Sequence, residues 1–324
     1  MTSYSKVKML AAAAMLAAAA PAVAQVFPSK PITIVTFFPP GASADTTMRL
    51  IAQKVSENVG QVVRLDSRPG ASGIVGSMVV KQAAPNGYTL VQANITSHAA
   101  LPSLMAKIAY DPVKDFKPVT LLWSYQIFLI VPAGSLARTV AELIALARVK
   151  PGGLNYVSPG IGSGSHLLGE MLRTRTGAPL VHIPYKGAAQ AALDLVAGRA
   201  DLFFISYSSV SAFVADGKLR VLAVAAPRRW PSLSEIPTMT EAGISGVEYV
   251  TWFGLLAPAG TPDAVIAKLN EEFTRAARSP DVVKRMDEDG IEITTGTPGE
   301  FSELMARDIV NLRAIVKASG ARAE

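Results

Sequence analysis

Short apolar runs alternate with amphipathic stretches along most of the chain. "PITIVTFF" and "QVVRL" are typical of β-strands, and the stretch between them has apolar residues at helical spacing. The apolar positions are Met48, Ile51, Ala52, Val55 and Val59. This pattern predicts a helix with Asp45 as its N-cap and Gly60 at its C-terminus. A loop of small residues, "DSRPGASG", and a further predicted helix, "IVGSMVVKQA", come next.

The same order returns in the second half of the chain. "LNYV" predicts a strand, "SPGIGSGS" a loop, "HLLGEMLRTRTG" a helix ending in glycine, and "APLVHIPY" another strand. A further loop, "KGAAQ", and helix, "AALDLVAG", complete the unit. Strands that alternate with helices are typical of a parallel sheet covered by helices. The sequence therefore predicts two α/β lobes.

Two apolar segments with similar endings predict how the lobes are joined. "FLIVPAGS" (128–135) and "GLLAPAGT" (254–261) each lead into a predicted helix. Two such strands allow the chain to cross from one lobe to the other and back. We therefore expect residues 25–125 to form the first part of lobe 1, residues 126–248 to form lobe 2, and residues 249–324 to return to lobe 1.

The first 24 residues have a pattern of their own. Lys6 and Lys8 precede a short alanine-rich apolar run, which ends in an A-x-A motif. This order is typical of a secretory signal peptide. We expect cleavage after Ala24, so that the exported protein begins at Gln25.

Composition narrows the function classes. The 324 residues carry a formal net charge of +6, which falls to +4 without Lys6 and Lys8, and basic residues form no long run. Nucleic-acid binding is therefore not expected. Cysteine is absent, which excludes disulfides and thiolate chemistry, and the three histidines lack a zinc-binding spacing. We expect neither a metal nor a cofactor.

The glycine-rich and serine-rich loops are the candidate binding elements. A loop that leads into a helix presents free backbone amides and the positive end of the helix dipole to an anion. "GIGSGS" lacks the third glycine of G-x-G-x-x-G, because Ser165 stands there, so a nucleotide is not expected. A secreted serine hydrolase that uses Ser163 or Ser165 with His166 remains an alternative, although neither serine stands in a G-x-S-x-G motif.

Several other polar and aromatic residues have both a structural and a functional interpretation. His166 would either pack in the first helical turn or contact a ligand, and His98 would either cap a helix or pack in the core. Trp252 and Phe253, in the second crossing, would either belong to the core or line a cleft.

Taken in order, "FPSKPITIVTFFPPGASAD", "DSRPGASG", "LNYVSPGIGSGSHLLGE", "HIPYKGAA" and "WFGLLAPAGTP" resemble the Bug-type periplasmic receptors of tripartite tricarboxylate transporters. The resemblance covers nearly the whole mature chain. It implies a periplasmic binding protein with two α/β lobes, joined by two crossing strands around a ligand cleft. Such a monomeric receptor binds a small organic acid, without catalysis, and delivers it to a membrane permease. A receptor that also reports to a sensor kinase is an alternative.

We expect ligand contacts from both lobes, most of them implied by the resemblance, with Phe38, Ile205, Ser206 and Trp252 added for their places in the predicted strands. In lobe 1 these are Phe38, Gly41, Ser43, Ala44, Asp45, Ser72, Gly73, Asn94, Thr96, Ser97 and His98. In lobe 2 and the second crossing they are Gly160, Gly162, Ser163, Ser165, His166, Tyr185, Gly187, Ala188, Ile205, Ser206 and Trp252.

Two positions depart from the pattern of the family. The first loop has Ala42 and Ser43 where consecutive glycines are usual, and Ile205 stands where an acidic residue is frequent. Without that acid, an ammonium group on the ligand would lack a partner. We therefore expect a carboxylate without an amino group, with an apolar or aromatic midsection in reach of Ile205, Tyr207, Phe38 or Trp252.

Overall fold

The computed structural model describes residues 27–105, 107–288 and 290–319, which form two α/β lobes around two mixed sheets. The predicted signal peptide lies outside these residues. None of the helices in the described ranges is long and apolar enough to cross a membrane.

Lobe 1 contains a six-stranded sheet. Its strands, numbered along the chain, are β1 (Ile32–Thr36), β2 (Val63–Ser67), β3 (Thr89–Asn94), β4 (Phe116–Tyr125), β10 (Thr251–Pro258) and β11 (Glu292–Ile293). Its helices are α1 (Ser43–Val59), α2 (Ile74–Lys81), α3 (Leu101–Leu104), α8 (Asp263–Ala277), α9 (Pro280–Glu288) and α10 (Pro298–Ser319), and a π-helical turn (Thr96–Ala100) precedes α3. The strand order is β2-β1-β3-β10-β4-β11.

Lobe 2 contains a five-stranded sheet. Its strands are β5 (Ile127–Pro132), β6 (Leu154–Ser158), β7 (Leu180–Pro184), β8 (Leu202–Ser206) and β9 (Leu219–Val224). Its helices are α4 (Val140–Val149), α5 (Gly164–Thr176), α6 (Ala188–Val196) and α7 (Ser211–Ala215). The strand order, β7-β6-β8-β5-β9, repeats the first five positions of lobe 1, with β5 in the place of β10.

The prediction of parallel sheets holds for the βα units and is wrong for the strands that arrive from the other lobe. β1 is parallel to β2 and β3, and β6 is parallel to β7 and β8. In contrast, β10 is antiparallel to β3 and β4, and β5 is antiparallel to β8 and β9. Strands of the βα units end where the lobes meet, whereas β5 and β10 begin there and therefore run the opposite way.

Helix α1 shows how the local sequence positions one predicted binding loop. Its apolar face is buried as predicted, since Met48, Ile51 and Val55 are fully enclosed, and Gly60 ends the helix in a left-handed conformation. The prediction of Asp45 as N-cap is wrong, because the helix already begins at Ser43. Asp45 lies in the first turn, where its carboxylate pairs with Arg49 at 2.9 Å.

The chain passes between the lobes twice. The first crossing is short: β4 ends at Tyr125 in one sheet, and β5 begins at Ile127 in the other. The second crossing, residues 225–250, runs from β9 back to β10. Helix α10 returns to lobe 1, where it packs on β4, and also contacts α5 of lobe 2. The two crossings lie side by side, because Thr251 pairs with Tyr125 and the Ala225 amide donates to the Ile127 carbonyl at 2.8 Å.

Candidate functional site

A cavity of about 460 Å³ lies between the lobes, at the ends of strands from both sheets. Ten residues of the predicted contact set line it: Ser72, Asn94, Thr96, Gly160, Gly162, Ser163, Ser165, Ala188, Ile205 and Ser206. The structure thus brings together predicted contact residues of both lobes that are far apart in the chain. Their contact with a ligand remains a prediction.

Other members of the predicted set lie outside this lining. They are Phe38, Gly41, Ser43, Ala44, Asp45, Gly73, Ser97, His98, His166, Tyr185, Gly187 and Trp252. Two of them belong to the core: His98 is 0% exposed beside Tyr110 and Phe116, and Trp252 is 1% exposed, with its indole nitrogen donating to Asp308.

Asp45, in the first turn of α1, forms hydrogen bonds with neighbouring groups of the protein through its carboxylate. The carboxylate oxygens accept hydrogen bonds from the Gly41 amide at 3.0 Å and from Nε and Nη2 of the Arg49 guanidinium. Burial alone would raise the pKa of Asp45, but the Arg49 and Gly41 hydrogen bonds hold that pKa below its usual value. Asp45 therefore carries a neutralised charge and shapes the loop at Gly41.

The sequence reasoning missed the floor of the cavity. It is lined by Tyr125 and Ile127, which flank the first crossing, by Tyr249 near the end of the second crossing, and by Thr251 at the start of β10. Neighbouring residues of a strand point to opposite faces, so Thr251 faces the cavity while Trp252 points away from it. The sequence indicates that the crossing segments lie near the cleft. It does not indicate which of their side chains face the cavity, because that depends on the position of the other lobe. The other lining residues outside the predicted contact set are Leu101, Leu104, Pro159 and Ser209, and Ile161 and Gly164, which lie within the predicted binding loop "GIGSGS".

The N-terminus of α5 presents free amides to the cavity. The N-cap Ser163 accepts the His166 amide at 3.3 Å, and the Gly162 amide donates to His166 Nδ1 at 3.0 Å. Between them, the amides of Gly164 and Ser165 make no hydrogen bond within the described part of the chain. Both residues line the cavity, so their amides and the Ser165 hydroxyl are donors available to an anion.

Two more helical segments begin at the same cavity. Helix α6 starts at Ala188 and has no side-chain N-cap, and the π-helical turn of lobe 1 starts at Thr96. Of the described residues that line the cavity, none has a charged side chain. The positive ends of helix dipoles and neutral donors are thus the groups that could balance an anionic ligand.

The sequence profile of the TctC family, the tripartite tricarboxylate transporter family receptors, matches residues 47–321. The chain belongs to this family. A Pseudomonas sp. (strain P51) protein, "UPF0065 protein in tcbD-tcbE intergenic region", is 39% identical over 86% of this chain and 83% of its own length. Protein BugT of Bordetella pertussis is 31% identical over 94% of both chains. The Bug-type resemblance is therefore confirmed.

Solved structures of similar proteins share the fold. An R. palustris protein with adipate is 32% identical, covers 91% of this chain and 99% of its own, and superimposes with a TM-score of 0.78. MatC from Rhodopseudomonas palustris, with bound malate, is 30% identical over 90% of this chain and 100% of its own, with a TM-score of 0.74. The two-lobed periplasmic-binding-protein fold is confirmed.

In this TctC-family chain, a buried polar network supports the loop before α5. Tyr156 donates to Glu170 at 2.6 Å, and Arg173 pairs with the same carboxylate at 2.7 Å. The His182 ring lies between the rings of Tyr156 and His166, with centroid distances of 4.8 and 4.1 Å. This stack connects the core of lobe 2 to the loop that carries the free amides.

The network also bears on the hydrolase alternative. His166 Nδ1 accepts the Gly162 amide, so this nitrogen does not serve as a base for a serine. The Ser163 hydroxyl donates to the Gly160 carbonyl at 2.7 Å. Within the described residues, neither the Ser163 nor the Ser165 hydroxyl forms a hydrogen bond with the imidazole ring of His166, and the contacts of Ser163 and His166 give the loop a structural role.

A larger cavity of about 840 Å³ lies behind the crossings. Helix α10, helix α5 and the segment around Gly246 line it, and Arg175, Glu248, Arg307 and Asp308 give it charges of both signs. It shares Tyr249 with the inter-lobe cavity but contains none of the glycine loops that precede helices. The inter-lobe cavity is therefore the candidate binding site.

The buried histidines predict a pH-dependent stability. Burial lowers the pKa of His98 to about 3 and, together with nearby His166, lowers that of His182 to about 4, against the opposing effect of Glu170. Because unfolded histidine titrates near pH 6.5, the unfolded chain binds more protons between about pH 6.5 and 4. We expect the free energy of unfolding to fall by several kcal/mol, at roughly 1–2 kcal/mol for each such histidine, from pH 7 to pH 5.

Urea denaturation at the two pH values tests this expectation, with His182→Gln as the comparison. The variant should show a smaller difference between pH 7 and pH 5, because it lacks one of the histidines that are protonated on unfolding. Equal stability of the wild type at both pH values would contradict the expectation. Carboxylates with a lowered pKa, such as Asp45, would act only below this window.

Proposed function

We propose that this receptor captures a small organic acid, a di- or tricarboxylate or an aromatic carboxylate, in the inter-lobe cavity and delivers it to the permease of a tripartite tricarboxylate transporter. The observation that carries the proposal is the cavity lining, which has neutral hydroxyls, helix N-termini and apolar side chains but no charged group among the described residues. An anion bound there would be held by charge-assisted hydrogen bonds from amides and hydroxyls.

The ligands of the related structures support this choice of class. One similar protein was solved with adipate and another with malate. Both ligands are dicarboxylates, and the cavity of about 460 Å³ in this chain lies within the usual size range for small-molecule sites. The apolar members of its lining, such as Leu104, Ile127 and Ile205, suit the hydrocarbon part of such an acid.

A screen of acids by thermal denaturation tests the proposal. Mono-, di- and tricarboxylates, aromatic acids and amino acids would each be added to the purified mature protein. A ligand that binds only the folded state stabilises it by RT ln(1 + [L]/Kd), about 2.7 kcal/mol at a hundredfold excess over Kd. We expect at least one non-amino carboxylate to raise the melting temperature without being consumed.

X-ray scattering gives the second measurement. Closure of the lobes on a bound acid should lower the radius of gyration relative to the ligand-free protein. Superimposable scattering curves with and without an acid shown to bind would overturn closure. Turnover of an ester or amide by the wild type, lost in Ser165→Ala, would instead favour the hydrolase.

A further inference from the structure

Tyr249 is placed between the second crossing and the binding loop of lobe 2. It precedes β10, is 3% exposed, and lines the inter-lobe cavity. Its ring lies against the first residue of α5: a Cβ added to Gly164 would approach Tyr249 Cε1 to 2.6 Å. A glycine at this position therefore lets the tyrosine ring reach the helix N-terminus that carries the free amides.

The Tyr249 hydroxyl is buried and has no hydrogen-bond partner within the described part of the chain. Burial raises the pKa of Tyr249, so the hydroxyl stays protonated at neutral pH. The side chain of Thr96 lowers that pKa, and Tyr125 and Asp308 raise it, so all three groups lie near the hydroxyl, although none has a hydrogen bond of good geometry to it. Thr96 and Tyr125 line the inter-lobe cavity, Asp308 lines the cavity behind the crossings, and Tyr249 itself lines both.

A buried hydroxyl without a partner is costly, because it has lost its hydrogen bonds to water and gained none from the protein. We propose that the Tyr249 hydroxyl donates to the ligand carboxylate held by the α5 amides of Gly164 and Ser165. Tyr249 is then a specificity-determining residue, which selects ligands with a hydrogen-bond acceptor at this end of the cavity. The inference rests on the proposed function of carboxylate capture.

The substitution Tyr249→Phe tests this role, because it keeps the ring against Gly164 and removes only the hydroxyl. Titration calorimetry with adipate and with malate at pH 7 would compare it with the wild type. We expect the affinity for a bound probe to fall by about tenfold or more. The ligand-free variant should melt at the same or a higher temperature, since it no longer buries an unpaired hydroxyl.

Tyr88→Phe is the matched control, because its hydroxyl bonds to Ser29 in lobe 1, outside the cavity lining. It should bind the probes as the wild type does. An unchanged affinity of Tyr249→Phe would overturn the inference while leaving carboxylate capture intact. Weaker binding together with a lower ligand-free melting temperature would overturn it as well, since that result indicates a structural role. Failure of the wild type to stabilise with any acid in the screen would overturn the proposed function itself.

Discussion

Gly162→Val is expected to abolish carboxylate binding, with an affinity loss of at least about 100-fold, while the protein still folds. Gly162 has φ of +81°, and a Cβ at this position would lie 2.9 Å from Leu104 Cδ1. A β-branched residue is strongly disfavoured at such a φ, so the loop must change its conformation. Leu104 belongs to lobe 1, and the new side chain therefore also separates the lobes at the mouth of the cavity.

The loop change has a second consequence for the donors. The Gly162 amide donates to His166 Nδ1 at 3.0 Å, which fixes the approach to the N-terminus of α5. If Gly162 leaves the left-handed region, this hydrogen bond is lost and the free amides of Gly164 and Ser165 no longer hold their positions. The expected loss is larger than that of a single contact, such as the roughly 1–3 kcal/mol for the hydroxyl removed in Ser165→Ala.

Gly134→Val is a suitable control for the Gly162 variant. Gly134 also lies in lobe 2, its φ lies outside the left-handed region, and a Cβ there would meet no atom within 4 Å. Calorimetry on both variants, with an acid identified by the thermal screen, gives the comparison. Binding by Gly162→Val within a fewfold of the wild type would contradict the assignment of this loop to the ligand site.

The order of elements was predictable from the sequence, because it depends on local patterns. The repeated strand, loop and helix pattern predicted the two similar lobes. The similar segments 128–135 and 254–261 overlap β5 and β10, which occupy equivalent positions in the two sheets. Strand direction in these two segments was not predictable from periodicity. It follows from where the chain enters each sheet, which is a property of the whole fold.

At the site, too, residues with a local sequence signal could be predicted, and residues whose position depends on the whole fold could not. Serines and glycines at helix starts were identifiable, since helix N-termini have known chemistry. His98 and Trp252 belong to the core although they carry polar atoms: the Ser97 hydroxyl lies 2.8 Å from His98 Nδ1, and Asp308 accepts from Trp252. The buried His98 Nε2 has no hydrogen-bond partner within the described residues. Tyr249, in contrast, lies in a stretch without regular periodicity, and its proposed role depends on its contact with the first residue of α5, which the sequence does not indicate.

The charge-free lining predicts a second large effect, at Ile205. This side chain is 5% exposed, lines the cavity and belongs to the apolar cluster of lobe 2 with Phe128 and Val157. Ile205→Asp would place a carboxylate in a cavity that offers no cation from the described residues. Two unit charges about 4 Å apart interact by roughly 4 kcal/mol at an effective dielectric constant of 20. We expect binding of a dicarboxylate to weaken by 100-fold or more at pH 7.

Ile205→Asn separates charge from packing, because it removes the same apolar side chain and adds a polar group of the same size without charge. Both variants should lose similar stability, but only the aspartate variant should recover affinity as the pH is lowered, when protonation of the new carboxyl removes the repulsion. The same carboxylate offers a partner to an ammonium group, so Ile205→Asp should bind aspartate or glutamate better than the wild type does. Calorimetry with adipate and glutamate at pH 7 and pH 5 measures both effects. Tight glutamate binding by the wild type would contradict the expected preference for acids without an amino group. Equal adipate affinities of the two variants at pH 7 would contradict the expected charge repulsion at position 205.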